Sequence, residues 1–347
     1  EIDQLLNRFS VSEIRPLLHK LRVISPQSVR NEPIYQEWEF DLWYEVTLRN
    51  DADIKQAVNR FLDLEDVEKA EPVYKKTIIE SVDLTIDNNK TEISSRTEPS
   101  DEMIYEQWGL HNTGQEIDEV VGTPGADINI LEAWELETGD PNVIVAVFDQ
   151  GIYFNHDDLK DSMWEGIGPD GVDTVAGSHG TSVAGIIAAT TNNMIGVAGI
   201  AGGFGNSEDG VKLISLNYLN SDYSYTVLVM YAIEKGAAIS QNSWAYVEPD
   251  VYNSPDLAAM TYFKEHGGGE VLDGGISFFG AGNNGKNQNQ YPACFEEVIG
   301  VAATNNKDKR SGFSNYGDWI DISAPGTQIT STSLNNSYSI ANGTSFA

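Results

Sequence analysis

Residues 178–189 read Ser-His-Gly-Thr-Ser-Val-Ala-Gly-Ile-Ile-Ala-Ala, a histidine inside a run of small and aliphatic side chains. Such side chains let a helix pack with its backbone close to its neighbours, so the stretch predicts a buried helix over 179–190. The partial positive charge at a helix N-terminus disfavours an imidazolium ion and keeps the ring of His179 neutral. A neutral imidazole is the form that a general base needs, which makes His179 a candidate for chemistry.

Outward from this helix, residues 105–347 alternate between apolar runs typical of buried strands and runs typical of helices. Strands are predicted over 143–148, 211–218, 237–242, 275–281 and 297–303, and helices over 179–190, 224–235 and 252–265. Apolar strands covered by alternating helices predict an α/β fold with a doubly wound, mostly parallel sheet. In such sheets, ligands bind beyond the carboxyl ends of the strands.

Residues 1–76 have a different pattern, which predicts a small α+β domain in front of the sheet. The predicted elements are helices over 2–9 and 11–21, a strand over 43–48, a helix from Asp53 to about Leu64 and a strand over 67–75. The strand–helix–strand order is compatible with a parallel pair. Residues 77–104 are polar and predict a linker, with one short strand between Ile78 and Leu84.

Composition excludes several classes of partner. The 347 residues carry 21 basic and 53 acidic side chains, a formal net charge of −32, so nucleic acid is not expected to bind. No apolar run reaches the ~20 residues that a membrane span needs. The single cysteine, Cys294, cannot form an intrachain disulfide, and beside Tyr291-Pro292 it is predicted to pack rather than to act as a nucleophile.

Two further stretches carry candidate chemistry. Residues 143–149 form a predicted strand that ends in the carboxylate of Asp149, and Gly151 lets the chain turn sharply there. Asn342-Gly343-Thr344 leads into Ser345 through a tight turn, which exposes the serine hydroxyl. A carboxylate, a histidine and a serine in the chain order Asp, His, Ser is one of the orders found in serine hydrolases. Each of these residue types alone is more often structural than catalytic.

Taken together, these motifs resemble those of the subtilisin-like serine proteases (subtilases, peptidase family S8) over residues 105–347. Gly280-Ala281-Gly282-Asn283-Asn284-Gly285 and the stretches 313–317 and 324–326 match as well. The resemblance implies a serine endopeptidase. In it Ser345 attacks the scissile carbonyl, His179 transfers the proton, Asp149 orients the imidazole, and the Asn283 amide joins the Ser345 N–H at the oxyanion.

The resemblance also implies a substrate groove and a calcium ion. Ser243, Trp244 and Ala245 would pair with the substrate backbone, and Gly280, Ala281 and Gly282 would form the opposite wall of the primary specificity pocket. The alternative for Trp244 is a core residue. Hard oxygen donors for calcium are implied at Asp158, the side chain of Asn193 and the carbonyls of Ile195 and Val197. The alternative is a solvated, Asn-rich turn.

In this family a small α+β propeptide folds and inhibits the protease, and the resemblance of residues 1–76 to it is topological. It implies a zymogen, with the propeptide as intramolecular inhibitor, processing within the linker 77–104, and a secreted or envelope protease of bacterial type. An unrelated accessory domain is the alternative. The chain ends two residues after Ser345, before the long helix that follows the nucleophile in the family. Whether residues 1–347 are active by themselves stays open.

Two departures from the family pattern leave a second function open. Gln150 replaces the usual Ser or Thr, and Ser182 lies where His is commoner. A catalytically silent binding or scaffold protein would tolerate such changes, although the intact candidate site argues against it. For specificity, a broad or apolar preference is favoured over a kexin-like basic preference, for which Glu248 and Asp250 would supply the acidic groups.

Overall fold

The structure is a computed structural model that describes residues 5–6, 8–25, 28–49, 51–79, 82–85, 99–164, 176–205, 209–219 and 223–347. Its α-helices are α1 (Leu21–Ile24), α2 (Ser28–Glu37), α3 (Ile54–Leu62), α4 (Ile130–Trp134), α5 (Ser178–Ala188), α6 (Tyr225–Glu234) and α7 (Ser254–His266). Its strands are β1 (Glu13–Pro16), β2 (Tyr44–Thr47), β3 (Lys76–Ile78), β4 (Val82–Thr85), β5 (Glu116–Ile117), β6 (Val120–Val121), β7 (Ile144–Asp149), β8 (Lys212–Asn217), β9 (Ala237–Asn242), β10 (Trp244–Tyr246), β11 (Ile276–Gly280), β12 (Ile299–Thr304), β13 (Ile322–Pro325), β14 (Ile329–Ser333) and β15 (Ser337–Asn342).

A parallel sheet of six strands lies at the centre of the fold, in the order β13-β12-β11-β9-β7-β8. Every neighbouring pair in it is parallel, which confirms the predicted α/β class and the five predicted strands. The three predicted helices correspond to α5, α6 and α7. The sheet continues into β13, a strand that the sequence pattern did not predict.

The side chains of β7 show how the sheet is buried on both faces. Val145 and Val147 pack into one hydrophobic cluster with α5, while Ala146 and Phe148 pack into another with α6 and α7. Since successive side chains of a strand point to opposite faces, this apolar run needs a helix layer on each side. Asp149, the last residue of β7, therefore lies at the carboxyl edge of a covered sheet.

Helix α5 uses its small residues for close backbone packing. A Cβ atom added to Gly180 would lie 2.5 Å from the Gly151 carbonyl oxygen, and one added to Gly185 would overlap the hydroxyl groups of Ser331 and Thr332. No side chain larger than hydrogen fits at either position. The helix is therefore fixed against both the turn that follows β7 and strand β14.

The N-terminal region, meaning the chain before β3, differs from the prediction. Of the helix predicted over 2–9, residues 2–4 and 7 lie outside the described residues. The helix predicted over 11–21 is wrong, because these residues contain β1, which pairs antiparallel with β2 and places Arg15 Nε 2.8 Å from a Glu45 carboxylate oxygen. The parallel pair and the strand over 67–75 are wrong as well, since the next strand begins only at Lys76. The strand near 44–47 and the helix after Asp53 are confirmed, and the Asp53 carboxylate accepts a 3.0 Å hydrogen bond from Gln56 N–H.

The N-terminal region packs on the helix face of the sheet that carries α6 and α7. Leu21, Tyr35 and Phe40 belong to the same hydrophobic cluster as the residues of α6. The ring of Tyr262 on α7 lies 5.7 Å from that of Phe40 and 5.2 Å from that of Trp38, both edge-on. Within the described ranges no helix has the length and hydropathy needed to cross a bilayer.

Candidate active site

Asp149 and His179 form a buried pair at the carboxyl edge of the sheet. The imidazole Nδ1 lies 2.9 and 2.8 Å from the two oxygens of the Asp149 carboxylate. Asp149 is fully buried, and His179, in the first turn of α5, is 8% exposed. Gly151 has a φ of +91°, a conformation that glycine adopts readily and that lets the chain turn sharply after β7. Because Nδ1–H donates to the carboxylate, the other ring nitrogen is the one that can accept a proton.

Ser345 lies beside this pair. The ring of the next residue, Phe346, is 5.3 Å from the imidazole of His179, centroid to centroid. The Ser345 hydroxyl donates a 3.0 Å hydrogen bond to the carbonyl oxygen of Ile79, a residue 266 positions earlier in the chain. A serine hydroxyl is thus in contact with a peptide carbonyl of the protein's own chain.

The side chain of Asn283 is oriented by the loop that carries Ser345. Its Oδ1 accepts hydrogen bonds of 2.9 Å from both the N–H and the hydroxyl of Thr344. The oxygen of the Thr344 hydroxyl also accepts a 3.0 Å bond from Gly282 N–H. These bonds fix the carboxamide so that its oxygen faces Thr344 and its NH₂ group lies on the opposite branch of the side chain.

Strand β3 lies in an extended groove along β10. The two strands are antiparallel, with Ile78 opposite Trp244 and Lys76 opposite Tyr246. Beyond the strand end, Ile79 N–H donates a 2.9 Å hydrogen bond to the Ser243 carbonyl. Ser243, Trp244 and Ala245, the residues that the sequence assigned to substrate pairing, therefore all lie along this extended segment.

The predicted pocket wall is in contact with Ile79 at one of its three residues. A Cβ atom added to Gly280 would lie 3.1 Å from Ile79 Cδ1, so the glycine leaves space for this side chain, which is 5% exposed. Ala281 N–H is bonded to the Val301 carbonyl, in continuation of the sheet. For Gly282 the recorded bonds are to Thr344 and Asn315, so the structure shows it supporting the Ser345 loop rather than touching Ile79.

The extended segment continues on the other side of Ser345. Strand β4 pairs antiparallel with β15, from Val82 opposite Asn342 to Thr85 opposite Ser339. Strand β15 leads directly into the Ser345 loop. The described residues on the two sides of the Ile79 carbonyl are therefore both strand-paired, β3 with β10 and β4 with β15.

The residues assigned to calcium lie together around a buried carboxylate. Asp158 is fully buried, and its oxygens accept bonds from Asn193 Nδ2 (2.8 Å), Val197 N–H (3.0 Å) and the Tyr338 hydroxyl (3.3 Å). Asn193 Oδ1 in turn accepts a 2.7 Å bond from Ile195 N–H. Burial, with a contribution from the charge of Asp101, raises the pKa of Asp158 to about 7.

Asp101 was not predicted and belongs to the same region. It is 3% exposed and accepts a 2.7 Å bond from Asn192 N–H, so two buried carboxylates that repel each other flank one loop. A cation would offset that repulsion, and carboxylate oxygens are donors that calcium prefers. Among the described residues, no group of three or more His, Cys, Asp or Glu side chains is placed to hold a metal.

Sequence reasoning also missed a second carboxylate in the groove. Asp256, in the first turn of α7, is 4% exposed and forms an ion pair with Lys76. Glu248 and Asp250, the acidic residues considered for a basic preference, are both exposed. Cys294 is partly buried, and burial raises the pKa of its thiol to about 11, as expected for a packing residue.

A covered parallel sheet with a buried Asp–His pair at its carboxyl edge, and a serine hydroxyl beside it on a peptide carbonyl, has the features of a serine hydrolase. The sequence profile described as the Subtilase family, Peptidase_S8, matches residues 140–347. The chain belongs to this family of subtilisin-like serine peptidases, as its motifs indicated.

Similarity to known proteins is consistent with membership of this family. The chain is 33% identical over 225 residues to the thermophilic serine proteinase of Bacillus sp. strain AK1, covering 62% of this chain and 51% of that one. It is 31% identical over 294 residues to the extracellular protease of Xanthomonas campestris, covering 72% and 47%. The crystal structure of fervidolysin from Fervidobacterium pennivorans shares the fold, with a TM-score of 0.67 and 24% identity over 100% of this chain and 51% of that one. The chain thus spans about half the length of these relatives.

Proposed function

We propose that this protein is a serine endopeptidase made as a zymogen, with Ser345, His179 and Asp149 as its catalytic triad. The observation that carries the proposal is the 3.0 Å contact between the Ser345 hydroxyl and the Ile79 carbonyl oxygen, beside the Asp149–His179 pair. A serine hydroxyl on the carbonyl of a strand-paired extended segment has the arrangement of a protease with its substrate.

The chemistry follows from these positions. Ser345 Oγ adds to the scissile carbonyl carbon while His179 Nε2 takes the hydroxyl proton, and Asp149 stabilises the resulting imidazolium through Nδ1–H. The carbonyl oxygen becomes an oxyanion, which accepts bonds from Ser345 N–H and Asn283 Nδ2. The C–N bond then breaks, and His179 gives its proton to the leaving amine. Water, activated by the same imidazole, hydrolyses the acyl-enzyme and restores the serine.

Asn283 can be tested separately from the triad. Its role is to donate to negative charge that exists only in the transition state, so Asn283→Ala should lower kcat by about 10²–10³ and leave KM nearly unchanged. A steady-state comparison on one peptide measures this. A rise in KM with an unchanged kcat would instead assign the side chain to ground-state binding.

The Ile79–Glu80 bond is the processing bond that this geometry favours. Ile79 provides the carbonyl at Ser345, and the groove pairing of β3 with β10 and of β4 with β15 fixes the chain on both sides of it. In this proposal residues 1–79 are the propeptide and the protease proper begins at Glu80. This narrows the processing region from the whole predicted linker to a single bond.

Two carboxylates support the role of the N-terminal region as an inhibitor that docks on the protease. Glu71 accepts bonds from Ser254 N–H (2.7 Å), Ser254 Oγ (2.8 Å) and Asn253 Nδ2 (3.3 Å) at the N-terminus of α7. Glu234, at the end of α6, accepts bonds from Ser25, Asn31 and Tyr35 of the N-terminal region. Negative charge at a helix N-terminus is favourable, so the first contact gains from the helix dipole as well.

Calcium is the metal that this proposal includes. Asp158, the side chain of Asn193 and the carbonyls of Ile195 and Val197 would hold it, with Asp101 close enough to contribute charge. The ion would tie the loop 192–197 to the turn that carries Asp158 and so stabilise the fold. The substrates are proteins or peptides, and the extracellular relative supports secretion or export to the cell envelope.

The experiment uses the full-length product of the gene. Expected results are labelling by a fluorophosphonate probe at Ser345, casein hydrolysis, and a mature N-terminus at Glu80 on protein sequencing. Ser345→Ala should lose all three and accumulate uncleaved chain. A folded, calcium-loaded protein without labelling or hydrolysis would favour the alternative, a silent subtilase-fold binding protein, and cleavage at another bond would refute the assignment of Ile79.

A further inference from the structure

We propose that the catalytic domain carries a pocket that selects lysine at the fourth residue before the cleaved bond. This inference rests on the proposed function, because Ile79 must be the residue whose carbonyl is attacked. Lys76 is then the fourth residue counted back from that bond, and it lies opposite Tyr246 in the groove. Thr77, the next residue of β3, is exposed, while the side chain of Lys76 is only 12% exposed. The chain thus buries a lysine here although solvent is available nearby.

The ammonium group of Lys76 is enclosed by aromatic rings. Its Nζ lies 5.3 Å from the ring centroid of Trp244 and 5.4 Å from those of Tyr218 and Tyr246. Rings at this distance attract a cation through their electron-rich faces, and the attraction is stronger when the group is shielded from water. We call the space bounded by Tyr218, Trp244, Tyr246 and Asp256 the lysine pocket.

Asp256 closes the lysine pocket and gives it a charge preference. Its carboxylate forms an ion pair with Lys76, accepts a 2.5 Å bond from the Tyr246 hydroxyl and lies 3.4 Å from Thr226 Oγ1. Burial and the charge of Asp256 raise the pKa of Tyr246 above its ordinary range, so this phenol keeps its proton and donates. In the described part of the chain, Lys76 is the only basic side chain in ion-pair contact with Asp256.

The pocket remains with the protease when residues 1–79 leave. Tyr218 follows β8, Trp244 and Tyr246 belong to β10, and Asp256 belongs to α7, all after the proposed processing bond. Loss of Lys76 takes away the cation that balances this carboxylate. A substrate with an apolar side chain at this position would bury the carboxylate without a partner, and an acidic one would repel it. The ammonium group of a lysine can both interact with the aromatic rings and pair with the Asp256 carboxylate.

The test compares peptides that match residues 73–83 and differ only at the position of Lys76. With the mature full-length enzyme, lysine should exceed norleucine in kcat/KM by tenfold or more, and glutamate should be cleaved least. Acetyl-lysine, which keeps the length without the charge, should behave like norleucine. Asp256→Asn should bring the lysine-to-norleucine ratio close to one. The matched control Asp250→Asn, which changes an exposed carboxylate in the segment between β10 and α7, should keep the full ratio.

Fluorophosphonate labelling separates the possible failures. An enzyme that labels and cleaves the lysine and norleucine peptides equally within threefold overturns the lysine pocket and leaves the proposed function intact. A protein that neither labels nor cleaves any peptide overturns the proposed function and the subsite with it. If Asp256→Asn fails to fold, the comparison of the four peptides on the unaltered enzyme still decides the question.

Discussion

The hydrogen bond from the Tyr35 hydroxyl to Glu234 is expected to contribute to the free energy that holds the N-terminal region on the rest of the protein. The hydroxyl donates a 2.5 Å hydrogen bond to Glu234, and Asn31 Nδ2 donates a 3.1 Å bond to the same carboxylate oxygen. Burial and the carboxylate raise the pKa of Tyr35 well above its ordinary range, so the phenol stays protonated at any working pH. A hydrogen bond to a charged group contributes about 1.5–3 kcal/mol, and Tyr35→Phe should remove that much from the docking free energy.

Hydrogen exchange of the uncleaved Ser345→Ala protein measures this loss. If the N-terminal region opens as a unit, amides of residues 28–49 should exchange about 10- to 150-fold faster in Tyr35→Phe, while amides of β7 stay unchanged. Glu234→Gln should accelerate exchange at least as much, because this carboxylate also accepts bonds from Ser25 and Asn31. The double variant should add little to Glu234→Gln alone, because the Tyr35 bond ends on the same carboxylate. Tyr44→Phe, the same change on a half-exposed ring of the same region, is the control. Exchange unaltered within threefold in both single variants would refute the role of this bond.

Three further outcomes are expected. Gly180→Ala should lower the free energy of unfolding by about 1–3 kcal/mol and slow acylation. Its Cβ would lie 2.5 Å from the Gly151 carbonyl oxygen and 3.1 Å from an Asp149 carboxylate oxygen. Urea unfolding measures the loss of stability, and the rate of fluorophosphonate labelling measures the effect on acylation. Cys294, with its thiol pKa raised to about 11, should react with iodoacetamide at pH 8 about 100-fold more slowly than in urea, where the ordinary pKa returns. Chelation of calcium should lower the thermal midpoint by about 5 °C or more, and Asp158→Asn should abolish that shift.

The sheet and the edge that carries the site could be predicted because local signals there agree with the fold. The apolar run of β7 has no polar side to expose, which requires helices on both faces, and Asp149 follows it directly. The small residues of α5 likewise predict close packing of this helix against its neighbours. The resemblance to the family implied that Asp149 orients the imidazole, and Asp149 and His179 are in hydrogen-bond contact.

The N-terminal region was predicted less well because its strands are short and depend on partners distant in sequence. Strand β1 has four residues, too few to distinguish alternation from helical spacing, and its pairing with β2 decides the structure. Strand β3 is likewise only three residues long and is formed by the groove, since its partner β10 lies about 170 residues later. No local pattern in residues 67–79 could indicate where that strand begins.

The role of Asp256 could not be predicted for the same reason, because it depends on residues distant in sequence. In sequence it follows Ser254-Pro255 and reads as an ordinary acidic residue at a helix N-terminus. Its position as the base of a pocket depends on Tyr218, Trp244 and Tyr246, whose rings surround the ammonium group that pairs with the Asp256 carboxylate. Such a pocket exists only once the sheet has brought the elements together, so a reading of acidic residues close to Ser243 and Trp244 pointed to Glu248 and Asp250 instead.

The contacts of residues 71–79 also bear on how the proposed inhibition would end. Cleavage after Ile79 would change only the end of the bound segment. The ion pair of Lys76, the pairing of β3 with β10 and the bonds of Glu71 to α7 are all formed by residues that precede the cut. We therefore expect the product of processing to stay bound, so that release, rather than cleavage, limits the appearance of activity. A substrate with lysine at the matching position competes for the same pocket, which links substrate preference to the rate of activation.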